Sequence, residues 1–439
     1  MFVILLLLLP FVTWLSWRAT SLIIHNASQW GLQDIPNHRS SHTLPTPRGG
    51  GAAVVVASLA GFLMAMFGPW SPHAMNGQGA GHGLTPPQLF QNAFSGGTPG
   101  LLASLGLPLF AGAFVLAITG LWDDIKPLRV RDRLVAQAFA VGLLFMTIGF
   151  LTGKPLDMAL RILWDAAGIG GTWEQFLAAG NDGLVLVLKA SLVAILLAGC
   201  IWWVNLFNFM DGIDGIAASQ ALFMLLAGVL IRFTDFHLVE YRLFIPHIPP
   251  HLYTSQTITL LSLVVAAALI GFLIHNWPPA RIFMGDAGSL FLGYIILVVA
   301  AFDVASGTLG FLYPNGVLRM RPPPEPLAGM LQPLCVWLIL GATFITDATL
   351  TLLRRLLRGE NPGTPHRSHA YQRLSRYYGS HRRATLVYCL INLCWLLPLA
   401  IVATVHPDHA AETMIIAYLP LVLLAWHFGA GREETPSRP

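Results

Sequence analysis

The stretch RIFMGDAGSLFLGYIILVVAAFD, residues 281–303, decides the fold class. One acid, Asp286, heads a run of apolar residues about as long as a bilayer is thick, since a spanning helix needs roughly 20 of them. Similar runs recur at 2–24, 50–68, 103–122, 134–152, 185–204, 213–232, 257–275, 330–353, 384–404 and 413–428, which with 286–303 makes eleven. The chain is 55% hydrophobic and only 10% charged, whereas ordinary soluble domains carry about 25% charged residues. The expectation is an all-α, polytopic integral membrane protein of about eleven helices. Its 439 residues form a single domain over 1–439, with no room for a separate soluble domain of ordinary size. The first run has no basic head and no obvious cleavage site, so it is expected to be a retained helix. Cys200, Cys335, Cys389 and Cys394 lie in apolar stretches without metal-type spacing and are expected to be buried structural thiols.

Orientation follows from the basic residues. With the N-terminus outside, loops on the inner side and the C-terminal tail hold 17 of the 25 lysines and arginines, including Arg39, Arg48, Lys126, Arg129, Arg131, Arg133, Arg281 and eight between Arg354 and Arg383. The outer loops hold Lys154, Arg161, Arg232, Arg242, Arg319 and Arg321. This bias predicts a periplasmic N-terminus and a cytoplasmic C-terminus. The pI near 9 therefore reflects loop arginines and orientation, and no nucleic-acid partner is expected. Every motif with chemical promise then falls on the cytoplasmic side, in loops near 26–49, 123–133, 205–215, 276–289 and 354–383.

Acids at span ends carry that promise, because charge near lipid is costly and is functional by default. Asp123-Asp124 closes the third run; paired carboxylates can bind Mg²⁺, or one can act as base while its neighbour tunes it. The bland alternative is a solvated helix end paired with its own basic loop. Asn205-x-x-Asn208-x-x-Asp211-Gly-x-Asp214-Gly215 is more specific. If helical, its i,i+3 spacing puts Asn205, Asn208 and Asp211 on one face, and Asp211 with Asp214, offering the oxygen ligands that hard Mg²⁺ prefers. Asp286 stands either as the cap of its own helix or as a metal ligand. In the first inner loop, Gly49-Gly50-Gly51 would let backbone approach a phosphate and Arg48 would add charge; the alternative is packing at a helix entrance. In the last inner loop, His366-Arg367-Ser368-His369 has the chemistry to bind a diphosphate, or is simply basic loop. Asp347 is expected to pair with Arg354.

Together these motifs resemble the polyprenyl-phosphate N-acetylhexosamine-1-phosphate transferases, a family that includes WecA-type enzymes and the phospho-MurNAc-pentapeptide translocase. The resemblance runs from about residue 34 to 375 with the motifs in the same order. It implies transfer of N-acetylhexosamine 1-phosphate from a cytoplasmic UDP-sugar to undecaprenyl phosphate at the bacterial inner membrane, releasing UMP. It further implies Mg²⁺ (or Mn²⁺) on Asp286, with Asp211 and Asp214 shaping the metal site. Asp123 becomes the base or nucleophile and Asp124 its support. Phe283 stacks on uracil, and Arg48, Asn205, Asn208, His366, Arg367 and His369 bind substrate. A homodimer has precedent in the family. The form His366-Arg-Ser-His369-Ala-Tyr-Gln looks like the O-antigen-initiating (WbpL-like) subgroup and departs from the clustered histidines of the peptidoglycan enzyme. Lys126 lies slightly closer to the aspartate pair than in that enzyme.

Two other classes fit less well. Asp211, Asp214, Gly215 and Ala218 match the opening of a CDP-alcohol phosphotransferase pattern, but Ser219 replaces its arginine, and Arg232 and Phe236 stand at its final aspartates. An ion-coupled transporter would place acids near the midplane, often in repeated halves; here they collect at one face and no repeat is visible. Which UDP-sugar is used, among GlcNAc, GalNAc, FucNAc and QuiNAc, is not written in any motif.

Overall fold

The computed structural model describes residues 2–36, 44–67, 98–152, 155–168, 172–234, 250–312, 326–361, 364 and 366–433. Arg39, Lys154, Arg242, Phe236, Arg319 and Arg321 lie outside the described residues. A helix occupies each expected apolar run. They are α1 (Phe2–Asn26), α2 (Gly51–Phe67), α3 (Thr98–Ile125) and α4 (Val130–Thr152), then the short α5 (Pro155–Ala167) and α6 (Trp173–Ala178). After these come α7 (Asp182–Met210), α8 (Ile216–Thr234), α9 (Pro250–Asn276) and α10 (Gly285–Leu312). The chain finishes with α11 (Pro326–Leu340), α12 (Ala342–Leu357), α13 (Ala370–Tyr378), α14 (His381–Ile391), α15 (Leu397–Val405) and α16 (Ala410–His427). The described strands are a two-residue pair, Gln33–Asp34 against Thr46–Pro47. Seven described helical segments are long and apolar enough to cross a membrane, and an eighth if a bent pair counts as one. The molecule is an all-α multi-pass membrane protein.

The hub is α10, packed against α2, α3, α7, α9 and α11. Lipid tails are as apolar as leucine, so helices in a membrane associate through close packing and small residues. The contacts of α10 follow this rule. A side chain on Gly51 would collide with the backbone of Gly288, and one on Gly120 with the Asp286 carbonyl. Gly112 leaves room for the ring of Tyr294, whose hydroxyl donates to the Ala140 carbonyl at 3.0 Å. The head of α10 is thereby drawn into the middle of the bundle.

One expected span is broken. The run 330–353 is two helices, α11 and α12, bent by 77° at Gly341. The carbonyl of Leu340, freed at the break, accepts from Gln220 Nε2 at 3.0 Å. Thr343 and Asn392 complete a buried polar cluster around the Gln220 amide. Polar partners of this kind let a helix break at membrane depth. The bend matters for function, because α12 carries Asp347 away from the span axis. The run 384–404 is α14 and α15 joined by a π turn at Asn392–Leu396, just ahead of Pro398, which has no N–H for the helix ladder. The expectation of buried cysteines holds for Cys335; Cys200 and Cys389 are half-buried, and Cys394 is exposed on an apolar helical surface.

Candidate active site at the carboxylate end of the bundle

The C-terminal ends of α3 and α7 and the N-terminal end of α10 meet, so residues far apart in sequence share one pocket of charge. Asp124 caps α10: its Oδ1 accepts from the Asp286 amide at 3.0 Å and its Oδ2 from the Ala287 amide at 3.2 Å. A carboxylate is favoured at the positive end of a helix for both reasons, dipole and unpaired N–H groups. Gly285 makes the contact possible. Its φ is +75°, and a Cβ there would lie 2.5 Å from Asp124 Oδ2. The expectation that Asp286 caps its own helix is therefore corrected, since Asp124 does so from another helix.

Relieved of capping, the Asp286 carboxyl accepts from Asn208 Nδ2 at 2.8 Å and lies 3.7 Å from Arg133 Nη1. It also meets the Asp123 side chain directly. Asp123 is held by the Leu128 amide at 2.6 Å and by Arg133 at 2.9 Å. Asp123 thus pairs with its own basic loop and also lies beside Asp286, with Arg133 reaching both. Arg133, missed as a site residue, bridges the two acids. Its only sequence signal was membership of a basic loop, which orientation alone explained. Lys126 is exposed.

The Asn205 to Asp214 run does not form one helical face. α7 ends at Met210, Asp211 is its cap residue, and Gly215 turns the chain at φ +72°. Asn205 exchanges hydrogen bonds with Gln137 at 2.8 and 3.0 Å, so it joins α4 to α7 and does not face the acids. Asn208 reaches Asp286 and Ser289 as described. Asp211 accepts from the Gly285 amide; burial, with Asp124 and then Asp214 adding negative charge, pushes its carboxyl up to about 7 against that hydrogen bond. Asp214 was expected beside Asp211 as a metal ligand. Its Oδ2 takes the Ala280 amide and its Oδ1 faces His381 Nδ1, each at 3.0 Å, so both oxygens are engaged in holding the α9–α10 turn and the head of α14.

The glycine run is settled by its amides. Gly50 N and Gly51 N donate to the carbonyls of Phe283 and Met284, at 3.0 and 2.8 Å, and so are not available to a phosphate. Gly50 packs on Phe272 and Ile282, and Gly51 on Gly288. Packing is the correct reading of this run. Arg48 does belong to the site: it donates to the Asp124 carbonyl, and its buried Nε has no partner among the described residues. Phe283 is half-buried, with its backbone paired to Pro47 and Gly50.

The histidine loop is organised by Asp347. Its Oδ1 accepts from the Ala370 amide at 2.8 Å, His369 Nδ1 at 3.3 Å and Thr351 at 3.3 Å; its Oδ2 accepts from the Tyr371 amide and the Tyr388 hydroxyl, each at 2.9 Å. The expected pairing with Arg354 is corrected, since Arg354 donates to the Ala430 carbonyl. Tyr371 then packs on Gly212, and its hydroxyl donates to the Phe209 carbonyl at 3.2 Å, which docks the loop on the Asp211 turn. His366 Nδ1 receives the Ser368 amide at 3.4 Å. A backbone amide only donates, so Nδ1 is the acceptor and Nε2 carries the proton. Burial first, then repulsion from His369 and Arg355, lowers His366 to about 4. It is therefore a neutral N–H donor at physiological pH. Arg367 is half-buried and its carbonyl accepts from Arg376.

This donor set fits a hard divalent cation. The acids supply only oxygen, and Asp123, Asp124, Asp211 and Asp286 outnumber the nearby Arg48 and Arg133. Among the described residues no three acids, histidines or cysteines already form a cage. Mg²⁺ commonly takes one or two carboxylates and completes its shell with water and substrate phosphate.

Residues 107–303, which contain all three acid motifs, match the family described as Glycosyl transferase family 4. The decaprenyl-phosphate N-acetylglucosaminephosphotransferase of Mycobacterium tuberculosis is 27% identical over 378 residues, 86% of this chain and 77% of the relative. A probable undecaprenyl-phosphate N-acetylglucosaminyl 1-phosphate transferase of Bacillus subtilis is 25% identical over 85% of this chain and 78% of its own length. The phospho-N-acetylmuramoyl-pentapeptide-transferase of Mycobacterium avium is 29% identical, over 63% of this chain and 69% of its own.

Proposed function

We propose that this chain, whose residues 107–303 match the family described as Glycosyl transferase family 4, transfers N-acetylhexosamine 1-phosphate from a UDP-sugar to undecaprenyl phosphate. The products are undecaprenyl-pyrophosphoryl-sugar and UMP. The observation that carries the reading is the junction of Asp123, Asp124, Asp211 and Asp286 with Arg48, Arg133 and the histidine loop at one end of the bundle. It offers acids for a cation and basic groups for phosphates within one site. The sugar-phosphate relatives align over more of this chain than the pentapeptide relative does, 86% against 63%, which favours a simple N-acetylhexosamine donor. The basic bias of the same loops supports a site open to the cytoplasm. By its His366-Arg-Ser-His369 form the loop points to initiation of O-antigen or a related envelope glycan.

Mg²⁺ at Asp286 and Asp211 would neutralise the donor diphosphate and the charge that develops on the leaving UMP. The chain's own residues do the rest. Asn208 orients Asp286. Arg133 holds Asp123 toward Asp286, where Asp123 can take a proton from the lipid phosphate or attack phosphorus itself. Arg48, with its unpaired Nε, and His366, through Nε2–H, present donors to phosphate oxygens. The test is UMP release from UDP-sugars by membranes supplied with undecaprenyl phosphate and Mg²⁺. Wild type is expected to turn over and Asp286→Ala to lose nearly all activity; near-normal release by Asp286→Ala would overturn the assignment.

A further inference from the structure

Past the end of α16 the chain does not leave the protein but folds back over the histidine loop. Gly429 and Gly431 both take positive φ, +72° and +73°, and Ala430 between them is fully buried against Ala370 and Ala425. Arginines of α12 and α13 seize the carbonyls of this turn. Arg354 donates to Ala430 at 2.6 Å while lying 3.7 Å over the ring of Trp426. Arg358 donates to the Gly431 carbonyl, and Arg373 to those of Arg432 and Glu433. The Gly431 amide in turn donates to the Ser368 carbonyl at 2.7 Å. Ser368 is the residue whose amide and hydroxyl meet His366 Nδ1, at 3.4 and 2.9 Å. A continuous chain therefore runs from the C-terminal turn through Ser368 to the His366 ring, which lies 4.9 Å from that of His369.

We propose that residues 428–433 are a positioning strap for the histidine loop, with Gly431 fixing Ser368 and, through it, the orientation of His366 toward the donor diphosphate. The role of the loop rests on the function proposed above; the strap itself does not. Two clamps hold the loop, because Asp347 secures its distal part at His369, Ala370 and Tyr371, and the strap secures its proximal part at Ser368. Only glycine suits position 431. Its φ is left-handed, and a Cβ would come 2.9 Å from both the Thr351 carbonyl and Arg354 Cβ. Loss of the strap leaves the acid cluster untouched, since none of its members contacts residues 428–433.

The experiment uses full-length wild type, Gly431→Val and Arg358→Ala in lipid nanodiscs. UMP release is measured against UDP-sugar and, separately, against undecaprenyl phosphate, together with hydrogen exchange of residues 366–371 and 281–290. For Gly431→Val the donor KM is expected to rise about tenfold, as small misplacement of a binding group does. The acceptor KM should be unchanged, and exchange should quicken at 366–371 but not at 281–290. Arg358→Ala removes the donor to the Gly431 carbonyl together with a pair to Glu360; it should show the same pattern more weakly, whereas Glu360→Gln, which weakens that pair and leaves the donor to Gly431 in place, should not, and the two together carry the test should Gly431→Val fail to accumulate. If exchange at 366–371 is unaltered, or donor and acceptor KM rise together, the strap does not position the loop. Wild type silent with every UDP-N-acetylhexosamine would instead refute the proposed function, and the exchange data would still judge the strap.

Discussion

Replacing Asp347 with asparagine tests whether one buried carboxylate organises the histidine loop. Asp347 is 1% exposed and all five of its partners are donors. An asparagine can keep its oxygen toward Ala370, but its amide then faces the Tyr371 N–H and the Tyr388 hydroxyl. The hydroxyl can turn and accept; the Tyr371 N–H cannot. Leaving that buried donor unmet costs about 1–3 kcal/mol, and the remaining bonds lose their charge assistance, so the total is about 2–4 kcal/mol. The loss falls on the loop and the head of α13, not on the helices that gather the acids. At 1.4 kcal/mol per factor of ten, loop opening becomes about 30- to 1000-fold more frequent. The assay pairs UMP release with hydrogen exchange at 366–373. Asp347→Asn is expected to lose at least about tenfold in kcat/KM and to exchange faster there. Tyr388→Phe leaves the carboxylate four donors and should cost about 1 kcal/mol. Activity of Asp347→Asn within about twofold of wild type, with unchanged exchange, would refute the reasoning.

Three further outcomes are expected. Gly51→Val drives a side chain into the Gly288 backbone and should lower stability by about 1–3 kcal/mol or more, read as a fall in Tm; Gly142→Ala, with open space around it, should not. His366, held near 4 by burial, should show no imidazole titration near neutrality by NMR; His366→Gln, which keeps an N–H donor, should retain more activity than His366→Ala. Asp211 has its carboxyl raised to about 7, so the fold prefers it protonated. In chelator, thermal stability should therefore fall as pH rises from about 4 to about 7, the window between unfolded and folded values, and divalent cation should bind more tightly over the same range. Asp211→Asn should flatten both trends.

Much of the fold was legible because lipid imposes a simple rule. Backbone groups must be satisfied within a helix and about 20 apolar residues must cross, so each expected run is helical, though two of the eleven are divided between two helices. The break at Gly341 was not legible, since Gln220 and Asn392, which receive the broken end, lie over 50 residues away. Roles within the site divided in the same manner. Their place at span ends gathered Asp123, Asp124, Asn208, Asp211 and Asp286 into one list, and the structure brings these five together. Spacing also gave Asp214 a place in the metal site and the glycine run a phosphate, where the structure gives them a turn and a helix contact. Local spacing describes a residue's neighbours in the chain, and these residues spend their hydrogen bonds elsewhere.

What the sequence by itself determined, then, was which chemistry the chain carries and at which end of its helices: acids and arginines are too costly near lipid to be placed idly, and their composition alone marks the site. What only the tertiary structure decided was the division of labour among them. Asp124 caps α10 and so leaves Asp286 able to serve as a ligand. Arg133 joins Asp123 to Asp286, and Asp347 and Gly431 hold the histidine loop from its two ends. These assignments depend on contacts between residues 10 to 163 positions apart, one of them made by a turn that closes back from the chain's last helix, and a hydrogen bond is specified by where its two partners meet, not by how far apart they are written.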